Sequence, residues 1–186
     1  MLAYAAGNAT AFDVLYGRHK GPSYRYVLRH CGNAAHADEL FQDCWLNVIR
    51  VRASYVPTAK FTTWLYTLIH NRLVDHWRAN GQAHLVSIDD DDDTATRDSV
   101  ESIAAPSHSE PAEVVEQRDV RARITQALAA LPPAQRDAFL LHQEGGLSLA
   151  EIAEMTGVGA ETVKSRLRYA LAKLRGELAV LREERS

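Results

Sequence analysis

The stretch LSLAEIAEMTGVGAETVKSRLRYALAKLR, from Leu147 to Arg175, leaves this chain few ways to fold. Ser148 is followed three residues later by Glu151, the pair that closes a capping box at a helix start. Ile152 and Ala153 supply that helix with an inward side, and Gly157 breaks the pattern where a chain turns sharply between helices. Beyond it Val163, Leu167, Ala170, Leu171, Leu174 and Leu178 recur at helical spacing and form one stripe to be buried. The pattern predicts a helix-turn-helix. The opposite face of its second helix centres on Glu161, Ser165 and Arg168, flanked by Lys164, Tyr169 and Arg175. Such donors can bond base edges in a major groove while neighbouring cations meet phosphates. The same face also suits an ordinary helical hairpin with a solvated basic exterior.

A chain of 186 residues has room for one or two domains with modest cores. With 46% apolar and 24% charged residues it reads as soluble and globular. No run approaches the roughly 18 apolar residues of a membrane span, and the start MLAYAAGNATAF lacks a secretory pattern, so membrane insertion is not expected and the cytoplasm is. Cys31 and Cys44 suit a reducing compartment. A net charge of −3 argues against a nucleic-acid binder, but its distribution reverses that impression. Residues 1–80 carry +4, residues 81–117 carry −9 and residues 118–186 carry +2. Acidity is concentrated in the middle, between two mildly basic flanks.

In chain order, Phe12, Leu15, Tyr16, Tyr24, Val27 and Leu28 mark one helix with a break, or two, because Gly21-Pro22 signals a bend or a helix start. A stronger helix runs from about Ala35 to Arg52, with Leu40, Phe41, Cys44, Val48 and Val51 on one side and Glu39, Gln42, Asp43, Leu46 and Arg50 on the other. An acidic face bearing a leucine suits solvated surface, and equally a docking stripe for a basic, partly apolar groove. Pro57 makes the segment Ala53 to Lys60 a loop, and a long helix follows from Phe61 to about Asn80. Phe61, Trp64, Leu65, Leu68 and Ile69 form its core stripe, while Thr63, Thr67, Asn71 and Arg78 project elsewhere. An amide that reads a base edge, two turns from a cation that meets a phosphate, suits single-stranded DNA; Asn71 bonding to neighbouring backbone is the plainer alternative.

Between Gly81 and Glu116 the composition changes to Asp89–Asp93 followed by Thr, Ser, Pro and Ala, the mark of a flexible acidic linker. Mutual repulsion and the lack of ordered spacing argue against a metal site there. From Val114, Val120, Ile124, Leu128 and Leu131 support a helix stopped by Pro132-Pro133; Pro133 or Ala134 opens another, ended by Gly145-Gly146. With the helix-turn-helix this makes a four-helix unit. The expected fold is therefore all-α, with two small helical domains at 1–83 and 114–186 joined by a flexible acidic linker at 84–113.

The order LPPAQRDAFLLHQEGGLSLAEIAEMTGVGAETVKSRLRYALAKLR is similar to region four of bacterial sigma factors, and HADELFQDCWLNVIR followed by FTTWLYTLIHNRLVDHWRAN resembles regions 2.2 to 2.4. Over about Ala9 to Ala83 and Val114 to Glu177 the chain resembles the extracytoplasmic-function group of the sigma-70 family. That resemblance implies an alternative sigma factor that binds core RNA polymerase and directs it to promoter DNA. It implies docking on the beta-prime clamp helices through Asp38, Glu39, Gln42, Asp43 and Leu46. It places minus-10 recognition at Asn71, Lys60, Arg72 and Arg78, with the loop Ser54 to Lys60 holding a flipped base, and minus-35 recognition at Lys164, Ser165, Arg168 and Tyr169. An anti-sigma factor is the expected regulatory partner. Two positions depart from the common pattern: the basic cluster after region 2.4 is replaced by ANGQAHLV, leaving strand contacts weaker or taken up by Arg72 and His76, and Tyr169 stands where a basic residue is frequent. The acidic run can act as a solvated tether or as a mimic of nucleic-acid charge in the polymerase channel.

A stand-alone helix-turn-helix regulator is the competing function; it would leave the Glu39, Gln42 and Asp43 face unused and would ordinarily dimerise. Enzymatic catalysis is not expected. The eight histidines are scattered, and His30, Cys31, His36 and Cys44 follow no zinc pattern, so no cofactor, metal or small-molecule substrate is expected.

Overall fold

The computed structural model describes residues 1–79 and 112–183. Eight α-helices follow in order among them: α1 (Leu2–Ala5), α2 (Thr10–Cys31), α3 (Ala34–Arg50), α4 (Phe61–Ala79), α5 (Ala112–Ala129), α6 (Pro133–Gln143), α7 (Leu149–Thr156) and α8 (Ala160–Glu183), with a 3-10 turn at Arg52–Ser54. No strand occurs among the described residues, and the fold is all-α as expected. The linker assigned to 84–113 lies outside the described residues, except that Ala112 and Glu113 open α5.

The first half packs α2, α3 and α4 around Val27, Leu40, Cys44, Trp45, Val48, Leu65, Ile69 and Leu73, all buried. Asn33 starts α3 by accepting hydrogen bonds from the backbone N–H groups of Ala35 and His36. Sequence reading expected a break at Gly21-Pro22, yet α2 runs through Pro22 without interruption. Proline costs a helix interior about 3 kcal/mol. Burial of Leu15 before it and Tyr26 and Val27 after it favours one continuous helix and outweighs that cost, at roughly 1.5–3 kcal/mol for each large side chain. The Ser23 hydroxyl donates to the His19 carbonyl at 2.6 Å and is itself buried, so the irregular turn carries no unsatisfied hydroxyl.

In the second half Pro133 opens α6 at its first turn, as its fixed φ allows. The Ser148–Glu151 capping box starts α7, and Gly157 ends it at φ 72°, a left-handed conformation that L side chains rarely adopt. Val163, Leu167, Ala170 and Leu174 of α8 are buried, with the helix packed on α6 and α7, as the spacing predicted; Leu171 of the same stripe is half-buried, and the Leu178 side chain lies outside the described residues.

The two halves share a single apolar core, which runs on from Tyr26 and Tyr66 into Leu141 and Leu147. The α6–α7 loop comes so close to α4 that a Cβ on Gly145 would lie 3.3 Å from a ring carbon of Tyr66, and 2.6 Å from the Leu141 carbonyl oxygen. Only glycine fits there without a shift.

Candidate nucleic-acid interface

The outward face of α8 is open. Lys164, Arg168 and Tyr169 are exposed and Ser165 is half-buried. Val163 and Leu167 anchor the helix below them, which fixes the direction in which these side chains point. Lys164 lies 3.3 Å from Glu161 one turn earlier, an exposed pair of small energetic weight. The Arg168 guanidinium sits 5.1 Å from the centre of the Tyr169 ring. That cation–π contact makes the Tyr169 ring a support for Arg168.

On α3, Asp38, Glu39, Gln42 and Leu46 are exposed, with Leu46 at 47%, and Asp43 is half-buried. The acidic residues and the leucine thus share one open face, while Leu40, Cys44 and Val48 hold the opposite side in the core. Two members are partly engaged: Asp38 accepts from the Tyr24 hydroxyl at 2.7 Å, and Asp43 accepts from Arg72 at 2.6 Å. Arg72, expected on DNA, is therefore bonded to Asp43, expected on a protein partner; the link crosses from α4 to α3.

On α4, Asn71 and Arg78 are exposed, and Arg78 lies 4.0 Å from Asp75. Lys60 precedes the helix and is largely exposed, yet its ammonium lies 3.4 Å from Glu151 of α7. Thr63, half-buried one turn on, donates to the same carboxylate at 2.8 Å. Glu151 accepts at once from the Ser148 backbone, the Ser148 hydroxyl and Thr63. Those bonds, the Ser148 backbone first, hold its carboxyl down at about 2.

Behind this contact the halves meet through buried polar groups that local sequence gave no reason to pair. Asp137 of α6 is buried; it accepts from the Tyr26 hydroxyl at 2.7 Å and lies 3.2 Å from His30 and 3.4 Å from His70. The His30 ring nitrogen is within ion-pair distance of Asp137 but off the hydrogen-bond line, and among the described residues neither of its nitrogens has a hydrogen-bond partner. Burial pushes the Asp137 carboxyl up, but His70 and His30 outweigh it and hold the group well below the usual carboxylate range. Burial alone lowers both imidazoles; it prevails at His30, whereas Asp137 reverses it and raises His70. Alongside, the Glu144 side chain is only 8% exposed and receives two guanidinium groups, Arg25 at 2.8 Å and Arg29. The interhalf contact is therefore a charged seam over an apolar centre.

Among the described residues no group of three or more His, Cys, Asp or Glu is arranged to hold a metal ion, and no helix is long and apolar enough to cross a membrane. Burial pushes the Cys31 thiol up to about 11 and the Cys44 thiol up to about 12, which leaves both poor nucleophiles at neutral pH.

Comparison with known proteins matches residues 15–83 to sigma-70 region 2 and residues 121–174 to sigma-70 region 4. The chain is 32% identical over 184 residues to the RNA polymerase sigma factor CarQ of Myxococcus xanthus, covering 99% of this chain and 98% of that protein. It is 33% identical over 172 residues to the ECF RNA polymerase sigma factor SigL of Mycobacterium tuberculosis, covering 92% and 90%. In fold it is similar to the sigma factor RpoE of Bartonella quintana, solved in complex with the anti-sigma factor NepR, at a TM-score of 0.66, 22% identity and coverage of 92% of this chain and 99% of that one. It is likewise similar to CnrH, solved in complex with the cytosolic domain of CnrY, at a TM-score of 0.64, 22% identity and 96% of each chain.

Proposed function

The chain belongs to the extracytoplasmic-function group of the sigma-70 family, and from that premise we propose a division of labour among its exposed residues. It is an alternative sigma factor, a transcription initiation factor that directs RNA polymerase to specific promoters. In our reading α8 presents Lys164, Ser165, Arg168 and Tyr169 to the minus-35 element. Asn71, Lys60 and Arg78 meet the minus-10 element, with Arg72 reaching DNA only after leaving Asp43. The α3 face of Asp38, Glu39, Gln42, Asp43 and Leu46 docks on the beta-prime clamp helices of core polymerase. Bond-making stays with the polymerase, so this chain is not an enzyme, and it works in the cytoplasm where polymerase and chromosome are.

The observation that carries this reading is the pairing, in one chain, of an open base-reading face on α8 with an open acidic face bearing Leu46 on α3. A stand-alone operator-binding regulator has no use for the second. Promoter recognition also sets a distance requirement. Two elements centred about 25 base pairs apart are separated by about 85 Å of duplex at ~3.4 Å per pair, whereas a folded chain of this length has a radius of gyration of about 16 Å. The halves must therefore part before both elements are held, and the packed arrangement is the waiting form. An anti-sigma factor that keeps them together is the expected regulator; the similar sigma factor RpoE was solved in complex with one, NepR.

Purified chain mixed with core polymerase and fragmented genomic DNA tests the function. Promoter-initiated transcripts with shared upstream motifs are expected. Failure to bind core polymerase, with operator-like binding of DNA by the chain alone, would sink the sigma-factor reading.

A further inference from the structure

The contact between Glu151 and the start of α4 has a chemistry that neither promoter element recognition nor core docking uses. A carboxylate is held between the Lys60 ammonium at 3.4 Å and the Thr63 hydroxyl at 2.8 Å, on residues that belong to the opposite half of the molecule. An ammonium with a hydroxyl one turn away is a donor pair suited to any oxyanion, and a backbone phosphate of DNA offers the same charge and acceptor oxygens. Glu151 is ionised at neutral pH, because the Ser148 backbone and hydroxyl, and Thr63, all bond to the charged form and hold its carboxyl down at about 2. It is also fixed in place, since those Ser148 bonds are the capping box that starts α7.

We propose that Lys60 and Thr63 form a binding site for a backbone phosphate of the promoter strand, and that Glu151 occupies this site as a phosphate mimic while the two halves are packed together. Thr63 thereby becomes a DNA-binding residue. The inference rests on the placement of the minus-10 site around Lys60 given above, and it adds regulation to that site: strand binding and closure exclude each other. Closure is maintained elsewhere, by Asp137 against Tyr26, His30 and His70 and by Glu144 against Arg25 and Arg29. A strand phosphate held by Lys60 and Thr63 together must therefore displace the Glu151 carboxylate, and with it the packed arrangement, so the apparent affinity is the intrinsic one reduced to the fraction of molecules that are open.

The test titrates the full chain with a fluorescent random-sequence DNA single strand, native or carrying neutral methylphosphonate linkages. The chain is opened by combining Asp137→Asn with Glu144→Gln, or by Glu144→Arg, which sets three like charges together. Small-angle scattering identifies the folded, expanded form. A control combining Asp13→Asn with Glu154→Gln, both at exposed positions, changes the net charge of the first opened chain equally without touching the seam. The opened chains are expected to bind the native strand about tenfold more tightly than the control. Adding Thr63→Ala or Lys60→Ala to an opened chain should then remove several-fold of that affinity, and Thr63→Ser should restore the hydroxyl's share. The methylphosphonate strand should be indifferent to Thr63→Ala. Equal affinity of control and expanded chains, or an opened chain indifferent to both Lys60→Ala and Thr63→Ala, would overturn the proposal. Promoter-directed synthesis with core polymerase is measured beside it. Its absence in the wild-type chain counts against the minus-10 reading itself, whereas normal synthesis without any affinity difference counts against this inference alone.

Discussion

The outward face of α8, proposed to read bases, and the start of α4 are both built from a cation beside a small hydroxyl residue, yet they stand in opposite conditions. Lys164 and Arg168 are exposed and Ser165 half-buried, and Lys164 is paired with Glu161, an exposed neighbour on its own helix. Lys60 and Thr63 face a carboxylate delivered by the other half of the molecule. In the proposed division of labour, the upstream reader is therefore open in the packed form, whereas one part of the downstream reader, Lys60 with Thr63, is engaged by the other half. A promoter can be met first at the minus-35 element, and opening of the chain then frees the second site.

The largest way to break this contrast is Asp137→Ala. It removes the buried carboxylate on which Tyr26, His30 and His70 converge, and loss of one partner from a buried charged group costs about 3–5 kcal/mol. Urea unfolding should shift by that order and interhalf distances should lengthen, while circular dichroism keeps its helical signal. Gly145→Ala is expected to act at the same seam with less force. Its new Cβ would crowd the Leu141 carbonyl and the Tyr66 ring, an overpacking cost of about 1–3 kcal/mol, read as opening without loss of helix.

Arg168→Ala sharpens the other side. If Arg168 reads a base, the variant loses about 1–3 kcal/mol of upstream-element affinity, visible in competition between specific and scrambled duplex, and leaves the interhalf distance unchanged. Equal losses on both duplexes would reduce Arg168 to a phosphate contact.

The smallest expected effect is on pH. His70 is raised in the packed form by Asp137, so its contribution to closure is complete below 6.5 and is lost as pH rises through its elevated value. His30 is lowered by burial, so closure is penalised as pH falls below 6.5 and that imidazole takes up a proton on opening. Both face the Asp137 carboxylate; His70 also touches the Tyr26 hydroxyl, and Arg136 adds to the lowering at His30. Closure, followed by fluorescence transfer across the seam, should peak near neutral pH. His70→Gln should flatten the alkaline side and His30→Gln the acid side, each change being of order 1.4 kcal/mol per pKa unit displaced.

Much of the molecule was legible because the relevant forces act within one helix turn. Ser148 and Glu151 announce a cap, Gly157 a left-handed stop, and Val163 to Leu174 a buried stripe, and each is found in the structure. The exposure of Glu39, Gln42, Leu46 and Arg50 on α3 followed from the same periodicity. The seam was not legible, since Tyr26 and Asp137 are 111 residues apart and each looks locally like ordinary helix surface. Glu151 illustrates the limit well. Its spacing to Ser148 identifies a cap, but its spare acceptor capacity toward Thr63 depends on how the halves meet. Pro22 misled for a related reason: local rules favour a break, and burial on both sides of it favours continuity.

In the proposed mechanism, closure and promoter engagement exclude each other. Cysteines introduced at exposed Arg50 and Lys173 can be labelled selectively, because the native thiols at 31 and 44 are pushed far above neutral pH. Single-molecule energy transfer between the two dyes should show a short separation for the free chain and a shift of the population to a long one when core polymerase and promoter DNA are both present. A transcribing complex that retains the short separation would contradict the account.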